Sequence, residues 1–299
     1  MKAVPPTRKI RNPWSVVSIH LGLILVCAGY LLPFIWLVST SMKTDEQANE
    51  TPPHFIPKPW QPHNYVDVFT HPTFHAVLYT RNTLIIAILV VAGTTVSSAV
   101  VAYGFARIEF RGRGLLFGIM LATIMIPFPV TMVTLFRVFR WIDEQTGAML
   151  GPDNIFQMLG TYKPLWLPAW FGSAFNIFLL RQFFMTLPKE LSEAARIDGC
   201  NEFAIFWRIV LPLARPALAV VALFSFMGVW NDFLGPLVFI QRPEQYTLAL
   251  GLQAFQSRIG GTDWPLLMAA SALVCLPLLI LFFLAQRTFI EGIATTGGK

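Results

Sequence analysis

Leu191–Pro212 reads LSEAARIDGCNEFAIFWRIVLP. It holds Glu193, Arg196, Asp198, Glu202 and Arg208 between two long apolar segments of a chain otherwise poor in charge. The residue order spells a short helix. Pro188, just upstream, suits a first helical turn, where a missing N–H costs nothing. Glu190 and Glu193 follow near the positive end of the helix dipole. Ala194 and Ala195 favour the helix and leave little side-chain bulk, and Gly199 supplies a left-handed stop. These signals predict about three turns from Lys189 to Asp198, with Leu187, Leu191, Ala194 and Ile197 as a narrow apolar stripe. Asn201 then caps a second helix, on which Phe203, Phe206, Trp207 and Val210 make a wider apolar face. Pro212 and Pro216 mark the entry into the next apolar segment.

The flanks place this island in a membrane protein. The 299 residues are 55% hydrophobic and only 13% charged, whereas soluble domains carry about 25% charged residues. Lipid-facing surface cannot tolerate charge. A spanning helix needs about 20 mostly apolar residues, and six stretches read as spans: 15–39, 82–106, 114–137, 164–185, 213–237 and 264–286. They follow an N-terminal tail, 1–14, and form one domain, 15–299, with the charged insert 188–212 between spans four and five. The N-terminal basic residues resemble a signal peptide, but the apolar run Val16–Val38 exceeds a signal core of about 7–15 residues and reads as an uncleaved first span. Long uninterrupted apolar runs exclude a barrel, whose strands alternate. The expected fold is therefore an all-α integral membrane protein.

Six spans put both termini on one face. Of the 22 Lys and Arg, that face carries 14 and the opposite face 8. Basic residues favour the cytoplasm, which places both termini and the insert there. The same count explains the net charge of +6 as topology. No basic stripe is gathered for nucleic acid. On the opposite face, Lys43–Arg81 is proline-rich, so it should begin extended and turn helical around NYVDVF. Trp60, Trp141, Trp166, Trp170 and Trp264 fall near that face, as interfacial anchors or as platforms for a sugar ring.

Cys27, Cys200 and Cys275 suggest neither a disulfide framework nor a metal site. His71 and His75 are four apart but flank Pro72 in a loop, so no metal ligand set is assigned. No Ser/His/Asp or paired-carboxylate constellation shares a face, which removes the case for a membrane enzyme. The spans hold almost no buried charge for ion coupling and show no internal repeat, which argues against a secondary transporter. The pathway candidates are Trp230, Asn231 and Asp232, at a break in the fifth span, with Asn176, Ser173 and Ser225 beside them. Trp230 could stack on a sugar and the polar pair could meet hydroxyls; alternatively, Asp232 marks only the end of the span. Pro127 and Pro129 should kink the third span.

Residue by residue, the opening stretch resembles the coupling motif, or EAA loop, of ABC importer permeases. Glu193-Ala194-Ala195 is followed by three residues and Gly199, then by nine residues, Ile209, one residue and Leu211-Pro212. Asp198 before the glycine and FWRIVLP after it resemble the carbohydrate-uptake, MalG-type branch. PFIWLVSTSMKTDEQ, RNTLIIA, YGFARIEFRGR and QRTFIEGIATTGGK resemble that branch as well, so the likeness covers nearly the whole chain. Trp141–Asn176 is longer than the family pattern.

The resemblance implies an ABC type I importer permease fold of six spans with a cytoplasmic coupling helix, in the cytoplasmic (inner) membrane of a prokaryote. It also implies a dimer of ABC ATPase subunits, a second homologous permease, an extracytoplasmic solute-binding protein and surrounding lipid as partners. The chain lacks the Gly-x-x-x-x-Gly-Lys-Ser/Thr loop that cradles phosphates. ATP and Mg therefore belong to the ATPase, and this subunit carries no cofactor. Glu193, Ala194, Ala195, Asp198, Gly199, Ile209, Leu211 and Pro212 carry over as the ATPase-coupling residues. A sugar or oligosaccharide is the implied cargo; the alternatives are a non-sugar solute such as glycerol 3-phosphate or, further off, a secondary transporter.

Overall fold

The computed structural model describes residues 13–151, 154–257 and 261–294. Most of the expected N-terminal tail and the last residues of the C-terminal stretch lie outside them. The principal helices are α1 (Pro13–Ser41), α2 (Ala76–Arg107), α3 (Arg113–Ala122), α4 (Phe128–Leu150), α5 (Ala174–Thr186), α6 (Lys189–Ile197), α7 (Arg215–Trp230) and α8 (Trp264–Ala294). One two-residue ribbon, Gln256–Ser257 with Gly261–Thr262, is the sheet among the described residues. The all-α expectation stands.

Among the described residues, three helices are long and apolar enough to cross a membrane: Val16–Ser41, Ala76–Arg107 and Trp264–Gln286. Two further stretches qualify only as bent pairs, Arg113–Met125 with Phe128–Leu150 and Glu202–Leu213 with Arg215–Trp230.

The breaks have local causes. The expected third span, 114–137, divides at Ile126-Pro127, and the two parts bend by 100°. Pro127 disfavours the helical region for the residue before it, and Ile126 is extended at φ −79°, ψ 118°. The expected fourth span, 164–185, separates into Lys163–Trp166, a 3₁₀ turn Leu167–Phe171 and the 13-residue α5. Pro164, Pro168 and Gly172 punctuate it, and Gly172 sits at φ +91°. The expected fifth span, 213–237, stops at Trp230 and resumes as the short helix Leu234–Phe239.

The chain forms two compact units. In the unit of residues up to Val68 and Phe255–Leu273, the proline-rich segment is tied to the end of α1. Asn64 Nδ2 donates to the Ser41 and Lys43 carbonyls at 2.9 Å each. The Lys43 ammonium lies 4.1 Å from the Trp36 ring centre. Helix Asn64–Thr70 covers the NYVDVF expected to be helical.

In the unit of Phe69–Ala254 and Val274–Lys299, α2 is the central helix. Ala87, Gly93, Thr94, Ser98, Ala99 and Ala102 are buried along it, and α5 and α7 pack against it. Lipid tails supply no hydrophobic drive between helices, so small residues that admit close approach decide the contact. A Cβ on Gly93 would lie 2.5 Å from the Trp170 ring. Leu180, Phe184, Ile205, Val210 and Val221 complete the core. The long Trp141–Asn176 stretch folds back on itself: the Asp143 carboxylate accepts from the Met158 and Leu159 amides at 2.6 and 2.9 Å.

Candidate functional site

The charged insert folds largely as its residue order predicts. Pro188 is the residue before the first turn of α6, Glu190 lies in that turn, and Arg196 lies in the last. Both charges oppose the helix dipole. Gly199 adopts φ +82°. The Cys200 amide then reaches the Ala195 carbonyl at 2.9 Å and the Gly199 amide the Arg196 carbonyl at 3.1 Å. This pair of bonds is the Schellman stop, which satisfies carbonyls that the helix leaves open. Asp198 is the residue at which the helix ends. Asn201 Oδ1 accepts from the Ala204 amide at 2.8 Å and starts helix Glu202–Ile205.

Side-chain directions differ from a simple stripe. Glu193, Ala194, Leu191, Ile197 and Asp198 are exposed, with Ile197 at 86%. Ala195 and Ser192 turn inward, and Ala195 joins the core with Ile205 and Phe206. Of the two adjacent alanines, only Ala194 faces out. The expected single face of Phe203, Phe206, Trp207 and Val210 is split. Phe206 and Val210 are buried, while Phe203 and Trp207 are exposed and stacked, 6.3 Å apart and 10° from parallel. The cause is the backbone. Phe206–Val210 is a π turn, in which the Leu211 amide bonds to the Phe206 carbonyl. Pro212, with no N–H, cannot continue the ordinary ladder. Ile209 and Leu211 pack at the edge of the core, and Pro212 is exposed.

Tyr103 and Arg107, which sequence reasoning left unassigned, lock this stretch to α2. Glu202 accepts from the Tyr103 hydroxyl through Oε2 and from Arg196 Nε through Oε1, each at 2.7 Å. The hydrogen bond from Arg196 holds the Glu202 carboxyl below its usual range; partial burial opposes that shift, and the Tyr103 bond adds to it. Arg107 donates to the Phe184 and Leu187 carbonyls at 2.8 and 2.7 Å. An open cavity of about 510 Å³ lies between, lined by Arg107, Arg113, Lys189, Glu193, Arg196 and Glu202 among others. The signal available was the four-residue spacing of Tyr103 and Arg107 in YGFARIEFRGR, which puts both on one helix face.

The pathway candidates are not brought to one place with equal standing. Trp230 is 2% exposed, stacks on Phe226 at 5.3 Å and gives its indole N–H to the Val274 carbonyl. Its ring and its donor are both engaged within the protein. Asn231 Nδ2 returns to the Met227 carbonyl, and Asp232 Oδ1 accepts from the Gly235 amide at 3.0 Å. Both close the break after α7. Ser173 gives its amide to Ser98 Oγ. By contrast, Asn176 Oδ1 and Ser225 Oγ are buried without a hydrogen-bond partner. An unsatisfied buried polar atom costs about 1–3 kcal/mol, so these two positions are the ones whose chemistry the fold does not use up.

Comparison with known proteins bears on the same residues. The family described as "Binding-protein-dependent transport system inner membrane component" matches residues 96–294, which include the whole insert. The "Trehalose/maltose transport system permease protein MalG" of Thermococcus litoralis is 34% identical, over 93% of this chain and 94% of that protein. The "Arabinooligosaccharides transport system permease protein AraQ" of Halalkalibacterium halodurans is 32% identical, over 95% of this chain and 96% of that protein. Among solved structures, a chain from a bacterial ABC transporter involved in import of the acidic polysaccharide alginate superposes with TM-score 0.69 at 22% identity, covering 95% of this chain and 99% of that one. At that identity the likeness speaks for the fold.

Proposed function

The chain belongs to the family of binding-protein-dependent transport inner membrane components, and from that premise we propose that it is a transmembrane subunit of an ATP-driven importer for a sugar or oligosaccharide. The permease names of its relatives support a carbohydrate cargo. In the proposed assembly an extracytoplasmic binding protein delivers the cargo, and a second permease pairs with this one to complete the pathway. A dimer of separate ATPase subunits holds ATP and Mg. In this reading the fragmented stretch 164–185 is a sixth crossing, added to the three long helices and the two bent pairs, and the basic-residue bias supports both termini and α6 on the cytoplasmic side.

One observation carries the coupling assignment. Glu193-Ala194-Ala195 lies on a helix that Gly199 ends in a Schellman stop and that exposes Leu191, Glu193, Ala194 and Ile197, and Ile209 and Leu211-Pro212 follow in the π turn and the turn after it. An exposed apolar stripe edged by charge fits the groove of a protein partner better than open water does. In this reading Glu193 makes a charge-assisted contact to the ATPase, Ala194 lets the backbones come close, and Ala195 forms the floor on which the helix sits. Exposed Phe203 and Trp207 suit the membrane boundary, where aromatic rings concentrate. Asn176 and Ser225 are the leading candidates to meet the cargo's hydroxyls.

The test is Gly199→Val in the assembled complex. A Cβ there meets no atom within 4 Å, so the damage comes from the backbone, which L side chains rarely adopt at φ +82°. Forcing a left-handed residue costs about 1–2 kcal/mol and undoes the stop. The expected result is normal membrane insertion with loss of binding-protein-stimulated ATPase activity. Full coupling in Gly199→Val would remove the assignment.

A further inference from the structure

We propose that Tyr103 and Arg107, on the last two turns of α2, are the positioning residues that deliver movement of the coupling helix to the membrane bundle. The inference rests on the importer reading above and says which helix receives the stroke first.

The coupling stretch has two ends, and α2 holds both. At the entry, one terminal nitrogen of Arg107 donates to the carbonyls of Phe184 and Leu187, at 2.8 and 2.7 Å. These lie at the end of α5, where the Phe184 carbonyl takes only a long 3.4 Å bond from the Leu187 amide and the carbonyls carry the negative end of the dipole. A guanidinium there closes the joint that leads into α6. At the exit, Tyr103 donates its hydroxyl to Glu202 at 2.7 Å. Glu202 opens the next helix, and its other oxygen takes Arg196, in the last turn of α6, at 2.7 Å. Tyr103 and Arg107 are four residues apart and share a helix face. One turn of α2 thus grips the loop before and after α6.

Packing beneath these bonds points the same way. Ala195 of α6, Phe206 and Val210 share a core with Ala99, Ala102 and Tyr103 of α2, and the Tyr103 and Phe206 ring centres lie 5.1 Å apart. The same α2 presents its small-residue face to α5 and α7. A push on α6 therefore reaches α2 through two charge-assisted joints and a shared core. It reaches α7 through the core residues Ala217 and Val221 and, along the chain, through the π turn before Pro212, where the ladder is irregular.

The experiment uses the full chain assembled in lipid nanodiscs with its ATPase, second permease and binding protein. Tyr103→Phe removes one hydroxyl, and Glu202→Gln keeps the shape and loses the charge. Three quantities are read: ATPase subunits retained on purification, ATP hydrolysed, and cargo moved per ATP. The expected result is unchanged retention with cargo per ATP at least five-fold lower in each variant. The double variant should be no worse than the poorer single one, because both remove the same joint. Cargo per ATP at the wild-type level in both variants overturns the proposal, and so do losses that multiply in the double variant. If the wild-type chain retains no ATPase subunit at all, the importer reading fails instead, a result separable from failure of the joint.

Discussion

Trp230 gives its indole N–H to the Val274 carbonyl at 2.9 Å and joins the end of α7 to α8. A tryptophan at a break in a membrane helix invites a reading as a sugar platform. The Val274 bond makes it a tether, and the tether and platform roles predict different outcomes. Trp230→Ala should lower the midpoint of thermal unfolding in detergent sharply, since truncating a buried Trp costs about 3–5 kcal/mol. The range of sugars that stimulate the assembled complex should stay the same. A narrowed sugar range with unchanged thermal stability would restore the platform role.

Asn176 predicts the reverse. Its Oδ1 has no partner, so Asn176→Leu removes an unsatisfied polar atom and should leave thermal stability unchanged or slightly higher. If the site meets cargo hydroxyls, the concentration of loaded binding protein needed for half-maximal transport should rise, or the maximal rate should fall, by about ten-fold, the loss of one hydrogen bond of about 1.4 kcal/mol. Ser225→Ala should act in the same direction. Transport assays on both variants check this.

Glu202 makes stability depend on pH on the acid side. Its carboxyl titrates lower in the folded protein than in the unfolded chain, chiefly because of the Arg196 bond. The unfolded chain therefore binds more protons in that window, and the stabilisation is present above the ordinary glutamate range and lost as pH falls through the lowered value. Thermal unfolding of the wild type should decline on acidification toward pH 4, and Glu202→Gln should show a flatter profile there. The expected difference is small, because the Arg196–Glu202 pair is partly solvent-exposed.

Asp45 has the opposite sign. Burial raises its pKa, and the charge of Asp263 and a hydrogen bond with it raise it further. The folded form holds its proton longer, so stability falls as pH rises from the ordinary aspartate range through the raised value. Asp45→Asn removes the repulsion. The variant should unfold at a higher temperature than the wild type at neutral pH, and the two should converge when both carboxyls are protonated.

The parts of the molecule that are local in sequence were the legible ones. Gly199, Pro188 and Asn201 each do what their residue type dictates within a few positions. Pro127 announced a break in the third span, but a proline says where a helix ends and not in which direction the next one leaves, so the 100° bend needed coordinates. Phe203 and Trp207 fit a regular helix with Phe206 and Val210 until the π turn separates them, an effect of Pro212 further along. The Tyr103–Glu202 bond spans 99 positions; periodicity and spacing carry no trace of a pairing that distant. The burial of Trp230 and its bond to Val274 were not legible either, because burial is a property of the fold and not of the residue.

The length of α2 has a geometric consequence. Its 32 residues make a rod of about 48 Å at 1.5 Å per residue, longer than the roughly 30 Å of a bilayer's hydrocarbon. Held at its Arg107 end, such a rod amplifies: a tilt of about 5° there carries the Ala76 end sideways by about 4 Å. That is close to the thickness of a sugar ring, so a joint that yields by a fraction of an ångström at one end sets an aperture at the other.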